Sequence, residues 1–384
     1  MKTILIQGTN TLLYRISHWE TWHWLIKYFP MIPFWILYCI RARSFWFFTA
    51  SNPTLTFGGY EGETKMEMYK LLPKEVIPKT ILIRTSYLKR KLAEKVITSG
   101  ISFPIAVKPD VGRMGLMFRK ITSMEELLSY HEHIAVDYIL QEFIDYPLEV
   151  SVFYYRFPNE SKGIITGFVK KECLSVIGDG RSTLLELIMN YKRVQFRLEE
   201  MKLKHASKLN FIIPAGEKYL LSEALNLSRG GKLISLEHEK DSQLVQVFDN
   251  LSYAGNFYFG RYDIKCKSIE ELKQGKHFSV LEFNGSGAEP HHVYGNGNSL
   301  LKAISILLHH WNVLFKISLQ NNKNGVPYWS FKQGYDHLLR ARKHFKKLRK
   351  LEFAMNTIVP VEWHPAKVRE TFPDVHELAL KKSA

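Results

Sequence analysis

Cysteine is scarce in this 384-residue chain: Cys39, Cys173 and Cys266 are the only three. An odd number without CxxC spacing suggests neither a disulfide framework nor a zinc site, so a reducing compartment is the simplest expectation. Long apolar runs are also missing. The uncharged stretch between Lys27 and Arg41 is 13 residues long and contains Pro30 and Pro33, short of the roughly 20 that a spanning helix needs. Met1 to Gly8 lacks a long apolar core and a small-residue cleavage site, so no secretory signal is expected and a cytoplasmic location follows by default. No internal repeat and no low-complexity segment occurs. With 46% hydrophobic and 23% charged residues, a disordered tail, a collagen and a polytopic membrane protein are excluded. Acidic residues are in deficit, 37 against 53 Lys and Arg, a net charge of +16. That excess points to an anionic partner: nucleic acid, an acidic membrane, or a phosphate- or carboxylate-bearing substrate.

Aromatic residues are concentrated at one end. Residues 1–60 hold 15 of the 51 aromatics and five of the eight tryptophans, Trp19, Trp22, Trp24, Trp35 and Trp46. Two readings stand: an aromatic lobe packed on the rest of the protein, or a membrane interface, where Trp and Tyr beside Arg41 and Arg43 would sit at headgroup level. From Lys79 onward, strand-like runs such as Thr80–Ile83 and 103–107 alternate with helical stretches over 87–99 and 123–133. In the latter, Ser123 can cap and Glu126 can complete a capping box. Residues 331–350 carry eight Lys and Arg against Asp336 alone, +7 of the total, with Leu338, Leu339, Phe345 and Leu348 at helical spacing. A basic amphipathic helix is predicted, either a solvated face or a surface for membrane or polyanion.

Three stretches could hold a nucleotide and a metal. Lys108 ends an apolar strand and is followed by a loop with Gly112, Arg113 and Gly115, whose backbone N–H groups can surround phosphate oxygens. It is neither a Walker loop nor a dinucleotide fingerprint. Next, Tyr138 to Ile144 reads as a strand ending in a linker, with Leu148 to Phe153 as a second strand. Gln141, Glu142, Phe143 and Ile144 could form a base-binding edge, and Glu149 could accept ribose hydroxyls; equally, both glutamates could be solvent-facing. Third, the period of two in 260–265 puts Arg261, Asp263 and Lys265 on one face. In 280–284 it puts Glu282 and Asn284 together, with Leu281 and Phe283 turned inward. Pairing the two strands across 268–277 gathers Asp263, Glu282 and Asn284, three hard oxygen donors suited to Mg²⁺ rather than zinc. Of the adjacent His291 and His292, at most one can face such a site; a substrate contact and a solvated loop are the two readings.

Taken in order, these segments resemble the ATP-grasp superfamily, which includes D-alanine:D-alanine ligase and the ligase half of cyanophycin synthetase. The resemblance covers roughly residues 62–310. Gly178-Asp179-Gly180-Arg181-Ser182-Thr183-Leu184-Leu185-Glu186-Leu187 is similar to a segment of the cyanophycin synthetase branch, with Thr183 and Glu186 as a capping box. Asn226-Leu227-Ser228-Arg229-Gly230-Gly231 resembles a loop of the same branch. The resemblance implies an α+β, ATP-grasp fold: two α/β lobes holding ATP between antiparallel sheets, with a hinge near 141–144. It implies domain bounds of 62–320, between an aromatic-rich region 1–61 and a basic helical extension 321–384. It assigns Lys65, with Lys70 as rival, Lys108 and Lys171, with Lys170 as rival, to the phosphates. It also assigns Asp263, Glu282 and Asn284 to Mg²⁺ or Mn²⁺, and Arg261 to the oxyanion of a tetrahedral intermediate. The implied activity is ATP-dependent joining of a carboxylate to an amine through an acyl phosphate, with amino acids, peptides or polyacids as substrates. Competing readings are a non-catalytic ATP-binding module and a phosphotransferase. Nucleic acid is disfavoured as partner, while peripheral contact with the inner face of a membrane stays in view. Two departures bear on substrate: no glycine-rich preceding domain is recognisable in 1–60, and Gly285-Ser286-Gly287-Ala288-Glu289-Pro290 replaces the family's usual acceptor-pocket sequence.

Overall fold

The computed structural model describes residue 19, residue 22 and residues 24–358, apart from 192–193, 195–197, 223–230 and 296. The Asn226–Gly231 resemblance therefore lies almost wholly outside the described residues. A first sheet is built from β1 (Thr80–Ile83), β2 (Ile105–Pro109), β3 (Arg119–Ile121) and β4 (Tyr138–Glu142), in the order β1-β4-β2-β3 with every pairing antiparallel. Alternation along β2 sends Ile105 and Val107 into one core with Leu92, Val96, Leu127 and Tyr130 of helices Lys89–Ser99 and Met124–His133, and leaves Lys108 on the opposite face. The second of these helices is capped by Ser123, which accepts from the Glu126 N–H at 3.3 Å. The return contact differs from the predicted box. The Glu126 carboxylate accepts from the Thr122 N–H at 2.7 Å and its hydroxyl at 3.0 Å, two donors on one residue.

The second sheet contains β5 (Leu148–Tyr155) and β6 (Ile164–Glu172). A separate antiparallel pair, β7 (Leu174–Ile177) and β8 (Lys218–Ser222), follows, before β9 (Lys232–Ser235), β10 (Phe259–Cys266) and β11 (Phe278–Asn284) complete it in the order β11-β10-β5-β6-β9. The β7–β8 pair packs Leu174 on Leu184 and Ile188 of helix Leu184–Asn190. There the Thr183–Glu186 capping box is present in both directions. Even-numbered residues of the main sheet, Val150, Val152, Tyr154, Tyr262 and Ile264, share a core with Leu244, Phe248 and Leu251 of helix Ser242–Gly255. The α+β class with two lobes of antiparallel sheet is the architecture that the ATP-grasp resemblance implies.

The odd-numbered face changes character along its length. Glu149, Ser151, Asp263 and Lys265 lie at one end, whereas Phe153, Tyr155 and Phe259 lie at the other and join Trp46, Phe47, Phe48 and Phe57 in an aromatic core. Phe315 of helix Leu300–Lys323 completes it. Most of the N-terminal aromatics are thus packing groups: the Trp46 indole donates to the Phe331 carbonyl at 3.0 Å, and the Trp35 and Trp311 rings meet edge to face at 5.0 Å. The segment 52–60 also abuts the loop after β11. The Ser286 N–H donates to the Gly58 carbonyl at 3.0 Å, and a Cβ on Gly59 would stand 2.9 Å from the Gly285 Cα. Only glycine allows that approach.

Helix Phe331–Ile358 lays Ala341, Phe345 and Leu348 into the core of the first sheet, and Arg119 pairs with Glu352 at 3.4 Å. Its Arg342, Lys343, Lys346, Lys347, Arg349 and Lys350 are exposed, so one helix is both core element and basic surface. Phe345→Ala is expected to cost about 3–5 kcal/mol and Lys346→Ala under about 0.5 kcal/mol, measured by urea unfolding. Equal, small losses would show that the helix is only loosely attached.

Candidate functional site

Strand β10 lies between β5 and β11, and its register decides what meets on the polar face. Asp263 is paired with Ser151 on β5 and with Glu282 on β11, and Arg261 is paired with Asn284. A bulge follows: Ile264 pairs with Val280, which leaves Leu281 without a partner residue. This corrects the expectation that Leu281 is a core residue. It is half-buried, and its carbonyl accepts from the Tyr69 hydroxyl at 2.6 Å and lies 3.4 Å from Lys108 Nζ.

Asp263 is buried and surrounded by donors. Ser151 Oγ donates to it, Arg261 Nη2 lies 3.3 Å away, Lys171 Nζ 3.1 Å, and Asn284 Nδ2 3.3 Å. Burial alone would raise its pKa, but the Arg261 and Lys171 charges dominate and hold it well below the usual carboxylate range. Lys171 also pairs with Glu149 at 3.0 Å; burial opposes its charge, yet Asp263 and Glu149 raise its pKa. Its rival Lys170 pairs with Glu172 at a half-exposed position.

Further cations come from β2 and from helix Lys65–Leu71, which packs Met68 and Tyr69 into the second sheet's core. Helix Lys65–Leu71 starts at the Thr64 cap, and Lys65 Nζ reaches Glu282 at 2.9 Å and the Gly112 carbonyl at 3.2 Å. Asp110, at the end of β2, fixes this helix by accepting from the Met66 N–H at 2.9 Å. Lys70 lies exposed in its last turn. Lys108 is pushed down to about 8 by burial and the neighbouring Lys65 charge. Gly112 thus meets the site through its carbonyl, whereas Arg113 is engaged with Glu61 and lies 4.3 Å over the Phe345 ring. Gly115 adopts φ +68° in the same loop.

At the linker between the lobes, Gln141 is buried and donates to Thr80 Oγ1 at 2.8 Å. Glu142 is exposed, and its carboxylate accepts from the Lys79 N–H at 3.3 Å. Phe143 sits between Lys120 at 4.3 Å and Lys265 at 5.4 Å. The Ile144 carbonyl accepts from Lys265 Nζ at 3.0 Å.

Several residues escape sequence reasoning. Ser151 is an ordinary strand serine until the register sets it opposite Asp263. Glu63 carries a buried Oε2 without a partner beside Lys65 and Glu282, and burial pushes it up to about 7. Glu289 accepts from the Tyr28 hydroxyl at 2.8 Å and from the Tyr294 hydroxyl, while its own carbonyl accepts from Arg261 Nη1 at 2.8 Å. Of the histidine pair, His291 Nδ1 lies 3.2 Å from Ser151 Oγ, and His292 turns away to His310. The only signal for this was the opposite orientation of adjacent residues. His291 is held well below its ordinary pKa by burial and by Arg261.

Among the described residues no group of three His, Cys, Asp or Glu side chains is assembled. A divalent cation would meet two carboxylates, Asp263 and Glu282, and the Asn284 amide. This hard-oxygen set fits Mg²⁺, with positions left for phosphate oxygens and water.

No family model and no curated protein matches the chain. Solved structures similar to it include a bifunctional glutathione synthetase from Pasteurella multocida, at 15% identity over 64% of this chain and 36% of that one, TM-score 0.40. A VanG D-Ala:D-Ser ligase from Enterococcus faecalis matches at 14% identity over 65% of this chain and 61% of that one, TM-score 0.37. A D-alanine–D-alanine ligase from Bacillus anthracis matches at 14% identity over 68% of each, TM-score 0.38. The chain thus spans about a third of the first of these and under two thirds of the second. Likenesses this low carry no assignment, which rests instead on register and side chains.

Removing one partner from a buried ion pair costs about 3–5 kcal/mol, so Lys171→Met should destabilise the fold by that order. Lys170→Met, at a half-exposed pair, should change it by under about 1 kcal/mol. Urea unfolding distinguishes them, and equal effects would show that Asp263 and Glu149 do not depend on Lys171.

Proposed function

We propose that the chain is an ATP-grasp ligase that joins a carboxylate to an amine at the expense of ATP. The observation that carries this reading is the meeting of two charge sets: Lys108 on the first sheet and Lys65 at the start of helix Lys65–Leu71, against Glu282, Asp263, Arg261 and Lys171 on the second sheet. A ligand fitting there must bring both negative charge, for the lysines, and a cation, for the carboxylates. A magnesium nucleotide does both. In this reading Lys65, Lys108 and Lys171 bind phosphate oxygens, the backbone at Gln141 to Ile144 borders the base, and Glu149 accepts from the ribose. Asp263, Glu282 and Asn284 hold Mg²⁺, which when bound neutralises phosphate charge.

The chemistry then follows from position. A substrate carboxylate oxygen attacks the γ-phosphorus, the bond to the β–γ bridging oxygen breaks, and ADP leaves with the electron pair. The amine attacks the acyl carbon, and the tetrahedral oxyanion develops near Arg261. That guanidinium is fixed beforehand by Asp263 and the Glu289 carbonyl, so little reorganisation is needed at the moment of reaction. Collapse expels inorganic phosphate, and the amine gives up its proton.

Magnesium-dependent ADP release across a panel of amino acids, peptides and polyacids, with Asp263→Asn as the blank, tests the assignment. Release accompanied by an amide product is expected. No release with any pair would favour a non-catalytic binding module, and a stable phosphorylated product would favour a phosphotransferase. Arg261→Ala should keep ATP affinity while turnover falls about 10²- to 10³-fold; equal loss of both would remove Arg261 from the chemistry.

A further inference from the structure

Helix Ile32–Ala42 is apolar apart from Arg41, yet among the described residues only one side of it is covered. Inward, Met31 and Tyr38 are buried, and Trp35 packs on Phe47 and Trp311. Outward, Phe29, Ile32, Ile36, Leu37, Ile40 and Phe45 are exposed, Phe29 by 72% and Ile40 by 67%. A helix of this composition ordinarily has partners on every side. So many neighbouring large apolar side chains exceed the scattered exposure usual for a monomer surface.

Charge selects the partner. No Asp or Glu occurs between residues 21 and 60, whereas Lys27 stands before the apolar face and Arg41 and Arg43 after it. The face continues through Phe45 onto Phe331, whose rings lie 6.0 Å apart, at the start of the helix that carries the exposed basic residues 342–350. A second copy on this face would bring the arginines and the +16 of both chains together. An anionic bilayer satisfies both features at once: acyl chains take the apolar side chains, and headgroups take the cations. The depth is also right. An 11-residue helix is about 16 Å long, too short to span and suited to lying in the interface plane. The one helix among the described residues that is both long and apolar enough to span, Leu300–Lys323, is built into the core through Val313, Phe315 and Ile317.

We propose that the outer face of helix Ile32–Ala42, with Phe29, Phe45, Arg41 and Arg43 at its margins, seats this protein on an anionic membrane surface. The sequence placed such contact with the tryptophans. In the structure Trp35 and Trp46 face inward, and aliphatic and phenyl side chains face out. The surface is separate from the ATP chemistry proposed above, so either proposal can fail alone.

The test is co-sedimentation of the full chain with phosphatidylcholine vesicles, with and without phosphatidylglycerol, in the absence of nucleotide. Binding should require phosphatidylglycerol and weaken as salt rises. The triple variant Ile36→Ser, Leu37→Ser, Ile40→Ser should partition at least about tenfold less, with its unfolding midpoint unchanged because all three side chains are exposed. If that variant fails to fold, Ile40→Ser alone, at a position 67% exposed, takes its place, and unchanged binding by it overturns the proposal. Equal binding to both vesicles, or to neither, overturns the proposal. So does a wild-type dimer in solution that the triple variant converts to monomer, since a second copy would then cover the face.

Discussion

The buried carboxylate of Asp263 is the group on which the arrangement of the site depends. A carboxylate taken out of water is tolerated only with charge partners and hydrogen bonds. Asp263 draws them from four strands: Arg261 on its own β10, Ser151 on β5, Lys171 on β6 and Asn284 on β11. A slip of one residue in any pairing would turn a donor to the opposite face. The same charges that meet the electrostatic demand of Asp263 therefore lock the register of the second sheet, and with it the position of Arg261.

Helix Lys65–Leu71 and β2 answer with the opposite sign. Lys65 and Lys108 lie side by side, and like charges in a buried place repel; the downward shift of Lys108 reflects this together with burial. Glu282 relieves part of the repulsion through Lys65. The Lys65–Glu282 ion pair thus ties helix Lys65–Leu71 to β11 at the centre of the site.

The terminal regions have a double character that composition could not reveal. The aromatic segment caps the far end of the sheet face that bears the site, while its own outer side is left apolar. The basic helix buries Phe345 and Leu348 in the first lobe and presents its cations outward. In each, one face serves the fold and the other is available to a partner, and residues 331–350 of the basic helix alone carry +7 of the net charge of +16.

Local pattern made much of this legible. Alternation of two in 260–265 separated polar from core positions and in 280–284 put Glu282 with Asn284, the Thr183–Glu186 box appeared as read, and helical spacing announced the basic helix. Such features depend on neighbours within a few residues, where the backbone period sets side-chain direction. Other features depended on strands distant in sequence. The bulge that exposes the Leu281 carbonyl, the opposition of Ser151 to Asp263, the contact of Glu289 with Arg261 and the choice of Lys171 over Lys170 beside Asp263 all arise from pairings across the sheet or between loops. Sequence by itself determined that Arg261, Asp263 and Lys265 share a strand face and that 123–133 and 331–350 are helical. Tertiary structure alone decided which faces meet, because the energy of a buried charge is set by the partners that folding brings within about 4 Å, and no local period encodes them.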